Sequence, residues 1–309
     1  MDAYLEIDIG GTKCAVSLAS VTAEIIEKVV FATEESQGPA QAIQRLRAAA
    51  DGLIQKHPVN LIAIGIACGS PLDPVRGIIQ SPPNLPSWKD VEIVKIFKEH
   101  FKVPTFLDND ANAGALAEYA YGAGKGLRNI IFITFGTGCG SGLMLDGKIY
   151  RGTNSYAGEI GHLRLAEDGP LGYHKRGSFE GFCSGPGLTQ MADSMRPDFN
   201  DTCLAKSPTA ADIGAAAANR DRLALAVFER SGEYLGRGLA ILLDVLNPER
   251  VIIGSIFVRC EKFIRPSMER VLKNEALSYT YEVCSIVPAG LGEAVGDYAA
   301  FAVAHCSLH

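Results

Sequence analysis

An α/β fold in two halves is the architecture that this 309-residue sequence predicts. Three observations carry it. A strand–glycine turn–strand pattern stands twice, in YLEIDIGGTKCAVSLAS (4–20) and in NIIFITFGTGCGSGLMLDGKIYRG (129–152). Helical patterns alternate with short apolar, β-prone runs along the chain. The length exceeds what one small core fills and suffices for two domains.

The elements follow in order. The first glycine hairpin is succeeded by a helix in AQAIQRLRAAADGLIQKH (40–57) and a strand in LIAIGIA (61–67). VPTFL (103–107) is a buried strand, and the alanine-rich ANAGALAEYA after it is helix-forming. The second glycine hairpin carries a further turn at the Asp146-Gly147 dipeptide. Segment 209–247 is mostly helical and contains a long amphipathic stretch, 221–246. RVIIG (250–254) is a strand closing on glycine, and 291–306 forms the last helix.

Composition excludes several function classes. The net charge is -6 and there is no Lys/Arg run, which argues against a nucleic-acid surface. MDAYLEIDIGG lacks the basic start and apolar core of a signal peptide. No apolar segment approaches the ~20 residues of a membrane span. The eight cysteines are scattered without a CxxC pair and read as reduced thiols of a cytoplasmic protein.

Chemistry concentrates in FLDNDANAGALAEYAYG (106–122). A calcium loop counted from Asp108 would need glycine at Ala113 and glutamate at Tyr119, so that reading fails. Asn109 or Asp108 can cap the following helix, and Asp110 would sit at its positive end, a placement expected to lower a carboxyl pKa. A cap accounts for one of these residues more readily than for the cluster. Carboxylates at the carboxyl end of a strand, where α/β folds gather ligands, suggest chemistry.

The glycine turns allow two readings. Gly10-Gly11-Thr12 after Asp8, with Lys13 next, and Gly136-Thr137-Gly138-Cys139-Gly140 can be plain hairpin turns. They can also hold phosphate oxygens through close backbone approach, exposed N–H groups and a threonine hydroxyl. Neither is a Walker A loop or a Rossmann fingerprint, since strands follow them. One such turn in each half favours a phosphate clamp between two domains.

DIGGTK (8–13), NDANAGALAE (109–118), FGTGCGSG (135–142), AGEIGH (157–162) and LNPERVIIG (246–254) stand in the order seen in the ROK family of repressors, open reading frames and kinases. The sequence resembles that family from residue 4 to about residue 300. The resemblance implies two ribonuclease-H-like (actin-like ATPase) domains around a central cleft that closes on sugar. The expected boundaries are 1–115 and 116–290, with 291–309 packing back on the first domain. It implies an ATP-dependent hexose kinase, most simply acting on the 6-hydroxyl of glucose, or on an N-acetylhexosamine such as N-acetylmannosamine. Asp110 would be the base and Gly69, Asn84, Asn109, Glu159, His162 and Glu180 the sugar side. Gly10, Gly11, Thr12, Lys13, Gly136, Thr137, Gly138 and Gly254 would face the nucleotide, Asp8 would approach Mg2+ through water, and the protein would be a homodimer. The capacity of a carboxylate to accept from one hydroxyl of a vicinal diol, and of an imidazole to bond its neighbour, suits Glu159 and His162.

The sequence departs from the family in three places. The family's zinc cysteines fall on Leu171, Tyr173 and Ser178, so no structural zinc is expected, and packing by Leu171, Tyr173 and Phe179 would hold the loop. A glycine triplet is replaced by Gly254-Ser255-Ile256-Phe257, which brings side chains toward the nucleotide. Cys68 replaces a proline before Gly69. A sugar-sensing regulator is the non-enzyme alternative. Such regulators carry a helix-turn-helix ahead of the first glycine motif, and Asp8 leaves no room for one here.

Overall fold

The computed structural model describes residues 1–308. The chain divides into two compact units. One holds Met1–Ala120, Gly152–Ser155 and the segment from Ala294 onward, and the other holds Tyr121–Arg151 and Tyr156–Glu293. Among the described residues no helix is long and apolar enough to cross a membrane.

In the first unit, β1 (Asp2–Ile9) and β2 (Lys13–Ser20) form an antiparallel hairpin that β3 (Ile25–Ala32) extends. Helix α1 (Gly38–Lys56) opens with a proline in its first turn, where a missing N–H is harmless. Its Ala42, Leu46, Ala50 and Leu53 form one stripe, buried against Leu5, Ile7, Ile9, Val16 and Leu18. Each large aliphatic side chain so buried contributes roughly 1.5–3 kcal/mol. The chain continues as β4 (Asn60–Cys68), the small hairpin β5 (Leu72–Asp73) and β6 (Ile78–Ile79), α2 (Ile93–Phe101), β7 (Thr105–Asn109) and α3 (Asp110–Tyr121). β4 and β7 join in parallel, giving the sheet order β3-β2-β1-β4-β7. The strand expected at 103–107 runs on through Asp108 and Asn109, because β4 extends to Cys68 and offers both residues a partner.

The second unit repeats this plan. β8 (Ile130–Phe135), β9 (Cys139–Leu145) and β10 (Lys148–Ile149) are antiparallel, and Asp146 and Gly147 take φ of 52° and 76° in the tight turn between the last two. A short hairpin, β11 (Leu171–Gly172) and β12 (Lys175–Arg176), precedes α4 (Phe179–Phe182), α5 (Gly185–Met195), α6 (Ala210–Ala218) and α7 (Arg222–Leu246). Then come β13 (Arg250–Ile253), α8 (Ile256–Glu275), α9 (Ser278–Val283) and β14 (Ser285–Pro288). The order β10-β9-β8-β13-β14 has the same two antiparallel and two parallel joints as the first sheet. Asp221 caps α7 by accepting from the Ala224 amide.

The last helix, α10 (Val295–Leu308), follows a 3-10 turn at Gly292–Ala294 and so begins four residues later than the sequence suggests. It packs on β1, β4 and β7, and a Cβ at Gly65 of β4 would stand 1.8 Å from the Ala300 carbonyl oxygen, so only glycine fits there. The period of two in β1 turns Leu5, Ile7 and Ile9 toward α1, and Tyr4, Glu6 and Asp8 to the other face. Tyr4 meets Phe301 of α10 edge-on at 5.0 Å between ring centroids.

Glu6 is buried on that face beside Ser17, with Lys28 and its ion-pair partner Asp297 nearby. Burial above all, then the Asp297 charge, raises its carboxyl from 4.5 to about 8, against Lys28 and the Ser17 hydrogen bond. Between these values the folded protein holds a proton at Glu6 that the unfolded chain releases, so this residue's contribution to stability falls as pH rises through that window. Glu6→Gln should therefore stabilise the protein at pH 8.5 by on the order of 1–3 kcal/mol and hardly at all at pH 5. Thermal melts at the two pH values check this, and equal effects at both would refute it.

Candidate active site

The first cluster lies at the carboxyl edge of the three parallel strands. Register places Asp8, Ala67 and Asp108 abreast on β1, β4 and β7, with Ile9, Cys68 and Asn109 in the next row. The chain just beyond that row is Gly10 on one side, Gly69 in the middle and Asp110 on the other. The Gly10 amide donates to the Lys13 carbonyl at 3.1 Å, closing the turn. Thr33 braces it by donating its hydroxyl to the Gly10 carbonyl at 2.5 Å and its amide to the Thr12 carbonyl at 2.9 Å. A Cβ at Gly11 would stand 2.5 Å from the Cβ of Asn84, so the glycine is needed for close approach of the Asn84 loop. Thr12, Lys13 and Asn84 are exposed, while Trp88 of that loop is fully buried in the core.

The two rival aspartates differ plainly. Asp108 is fully buried, and its Oδ1 accepts from the Asn109 amide at 2.9 Å and from Asn112 Nδ2 at 2.8 Å. Asn109 caps α3, its Oδ1 accepting from the Asn112 amide at 2.8 Å, which leaves its NH2 as the group it can offer a ligand. Asp110 opens α3 with its side chain accessible to solvent, and its Oδ1 accepts from the Ala111 amide at 2.9 Å.

The expectation that the helix N-terminus lowers the Asp110 pKa is overturned. Desolvation by the surrounding protein outweighs the backbone amides and raises this carboxyl above its usual range. Burial, then the charge of Asp110, raises Asp8 to about 6, against Lys28 and Lys13. Both carboxyls are thus displaced upward, each chiefly by desolvation.

The second cluster lies in the other unit, around Gly136–Gly138 between β8 and β9. The Gly136 amide donates to the Gly138 carbonyl at 3.0 Å, and the Gly136 carbonyl accepts from the Gly185 amide at 2.7 Å, where α5 begins. Glu180 reaches this turn, its Oε2 accepting from the Cys139 amide at 3.1 Å. The segment holding Glu159 and His162 is pressed on β9: Ser141 donates its amide and hydroxyl to the Gly158 carbonyl, and a Cβ at Gly161 would fall 2.3 Å from the Cys139 carbonyl oxygen. Glu159 is exposed and precedes the 3-10 turn Ile160–His162. Gly254 ends β13, its amide donating to Ile133, and Ser255 follows at φ 57°, ψ -115°, with its side chain beside Gly136. Thr137 is exposed at the tip of the turn.

Each unit thus gathers its own share of the sequence-designated residues. Thr33, Cys139 and Ser141 were not designated as site residues, although Cys139 and Ser141 stand within FGTGCGSG, because bonds that involve the backbone are not revealed by residue type. The bond of Asn112 to Asp108 was not foreseen. Glu6 had a usable signal, since the alternation in YLEIDI puts it on the face of Asp8.

The loop expected to be held by Leu171, Tyr173 and Phe179 is held otherwise. Leu171 and Tyr173 are 44% and 53% exposed, and only Phe179 is buried. The anchors are polar: Gln190 bonds both the amide and the carbonyl of Leu171, and the Ser178 hydroxyl donates to the Gly172 carbonyl. Backbone bonding fixes this hairpin because two of the three side chains point away from the core. Among the described residues no three His, Cys, Asp or Glu side chains converge on a metal position. Leu171, Tyr173 and Ser178 offer no thiolate, so the residues of this segment do not fit zinc. Magnesium asks for less, since it binds through one or two carboxylates, waters and substrate phosphates, and the Asp8 carboxyl at the sheet edge is a group of the kind it takes.

A family model described as ROK family matches residues 4–306. The chain belongs to the ROK family. It is 33% identical over 262 residues to a glucokinase of Halalkalibacterium halodurans, covering 81% of this chain and 79% of that one. A ROK family glucokinase from Streptomyces griseus, solved in complex with glucose and AMPPNP, superposes with a TM-score of 0.79 at 27% identity over 97% of this chain and 99% of that one. A ROK family transcriptional regulator, a homolog of the E. coli MLC protein, superposes with a TM-score of 0.89 at 22% identity, covering 98% of this chain and 77% of that chain. That likeness concerns the fold. The two sheets of like topology are accordingly the actin-like ROK architecture.

Metal analysis of chelator-washed protein should find less than about half an equivalent of zinc, because the ligand set is broken. Stoichiometric zinc would refute this account of 171–180.

Proposed function

We propose that this ROK protein is an ATP-dependent sugar kinase that phosphorylates a hexose hydroxyl, most simply the 6-hydroxyl of glucose, with Asp110 as the base. The observation that carries the reading is the contrast between the two aspartates. Asp108 is sealed in the core by two hydrogen bonds, whereas Asp110, two residues on, is open to solvent with a raised pKa. A base is most effective when its pKa lies near the working pH, and desolvation moves Asp110 in that direction. The glucokinase relatives support the substrate class.

The roles follow from chemistry. Asp110 accepts the proton of the attacking hydroxyl, and the NH2 of Asn109 helps fix the sugar beside it. Gly69 and Asn84 flank the sugar, and Glu159, His162 and Glu180 bond hydroxyls that do not react. Gly10, Gly11, Thr12 and Lys13 offer amides, a hydroxyl and a positive charge to phosphate oxygens, and Gly136, Thr137, Gly138 and Gly254 hold the nucleotide. Asp8 is the residue that would hold magnesium, which supplies charge neutralisation on the transferred phosphoryl group.

Asp110→Asn keeps size and most hydrogen bonding but removes the base, so kcat should fall by roughly 10²–10⁴ with little change in sugar KM. Glu159→Gln and His162→Ala should instead raise sugar KM. An ADP-release assay across a hexose panel, run on wild type and these variants, checks both statements. Preference for N-acetylmannosamine would change the substrate and leave the mechanism. An Asp110→Asn enzyme within a fewfold of wild type would remove Asp110 as base, and sugar binding without turnover would point to a regulator.

A further inference from the structure

The tip of the β11–β12 hairpin is built against its own turn chemistry. Its two turn residues, Tyr173 and His174, both take positive φ, 45° and 64°. Two-residue turns of that kind favour asparagine and glycine, which tolerate the left-handed region. Here two bulky rings occupy it. Neither is placed there by burial, since both are exposed. What Tyr173 contacts is His162. The Tyr173 ring meets the His162 imidazole edge-on, with centroids 4.7 Å apart and planes at 73°, and His174 lies tilted behind Tyr173 at 5.9 Å. The next residue takes hold of His162 a second time, Lys175 Nζ donating to the His162 carbonyl at 2.6 Å.

The hairpin has its own anchors away from the tip. Gln190 holds Leu171, Ser178 holds Gly172, and Arg164 donates to the Arg176 carbonyl at 2.9 Å. The tip side chains are therefore not what keeps the loop folded. We propose that Tyr173 is a positioning residue for His162: its ring fixes the rotation of the imidazole through which the protein reads a substrate hydroxyl, while Lys175 fixes the backbone that carries it. This rests on the reading of His162 as a sugar ligand. An imidazole free to rotate about its ring bond would present its nitrogens in many directions. Held edge-to-face by an aromatic neighbour, it offers one, and the ordering is done before the sugar arrives.

Tyr173→Gly separates the ring from the turn, because glycine accepts φ 45° without strain and removes the aromatic contact. Tyr173→Phe keeps the ring. In the full-length protein, Tyr173→Gly should melt no lower than wild type, shift the His162 ring-proton resonances, and raise sugar KM about 3- to 10-fold with kcat little changed. Tyr173→Phe should keep both the resonances and the KM close to wild type. A Tyr173→Gly enzyme with unchanged sugar KM overturns the positioning role while leaving the kinase reading intact. Absence of any sugar turnover in wild type overturns the kinase reading instead, and the His162 resonances then decide alone: unmoved in Tyr173→Gly, they refute the contact, and moved in Tyr173→Gly but not Tyr173→Phe, they support it.

Discussion

The parallel joints β1–β4 and β4–β7 are the constraint on which the candidate site depends. Parallel pairing carries three strands to one edge in register, so Asp8 and Asp108 stand at one level and Asp110 two residues beyond. Nothing in the local sequence of either strand brings these carboxyls together, since about a hundred residues separate them. At that edge Asp8 and Asp110 are desolvated and their carboxyls move upward in pKa, Asp8 also through the charge of Asp110. Helix α10 packs across all three of these strands, with Phe301 and Val303 buried.

The same topology in the second unit ends differently. There the antiparallel turn between β8 and β9 is clasped by Glu180 and by the start of α5, and the Glu159–His162 segment is laid across β9 by close backbone contacts. One plan, used twice, thus produces a carboxylate edge in one unit and a glycine turn lined by hydrogen-bonding side chains in the other. The difference lies in the loops, which is where an α/β fold varies its chemistry without changing its sheets.

Much of this was legible in the sequence. Both glycine hairpins, the Asp146-Gly147 turn and the long α7 stand where local pattern puts them, because each is decided by neighbours a few residues away. The errors share a different origin. The pKa of Asp110 follows from how much protein surrounds it, and a helix-end argument sees only the backbone amides. The end of β7 was misjudged because β4, a distant segment, supplies its last partners. Leu171 and Tyr173 look like core residues by composition, yet Gln190 and Ser178 hold their hairpin by polar bonds while both side chains stay exposed.

The central claim is that a desolvated Asp110 accepts the proton of the sugar hydroxyl. The pH dependence of kcat/KM for the sugar tests it most directly. The carboxylate must be ionised to act, so activity should fall with decreasing pH along a limb whose midpoint lies above the ordinary aspartate value near 4. A limb centred at or below the ordinary aspartate value, or one that survives unchanged in the residual activity of Asp110→Asn, would contradict the account.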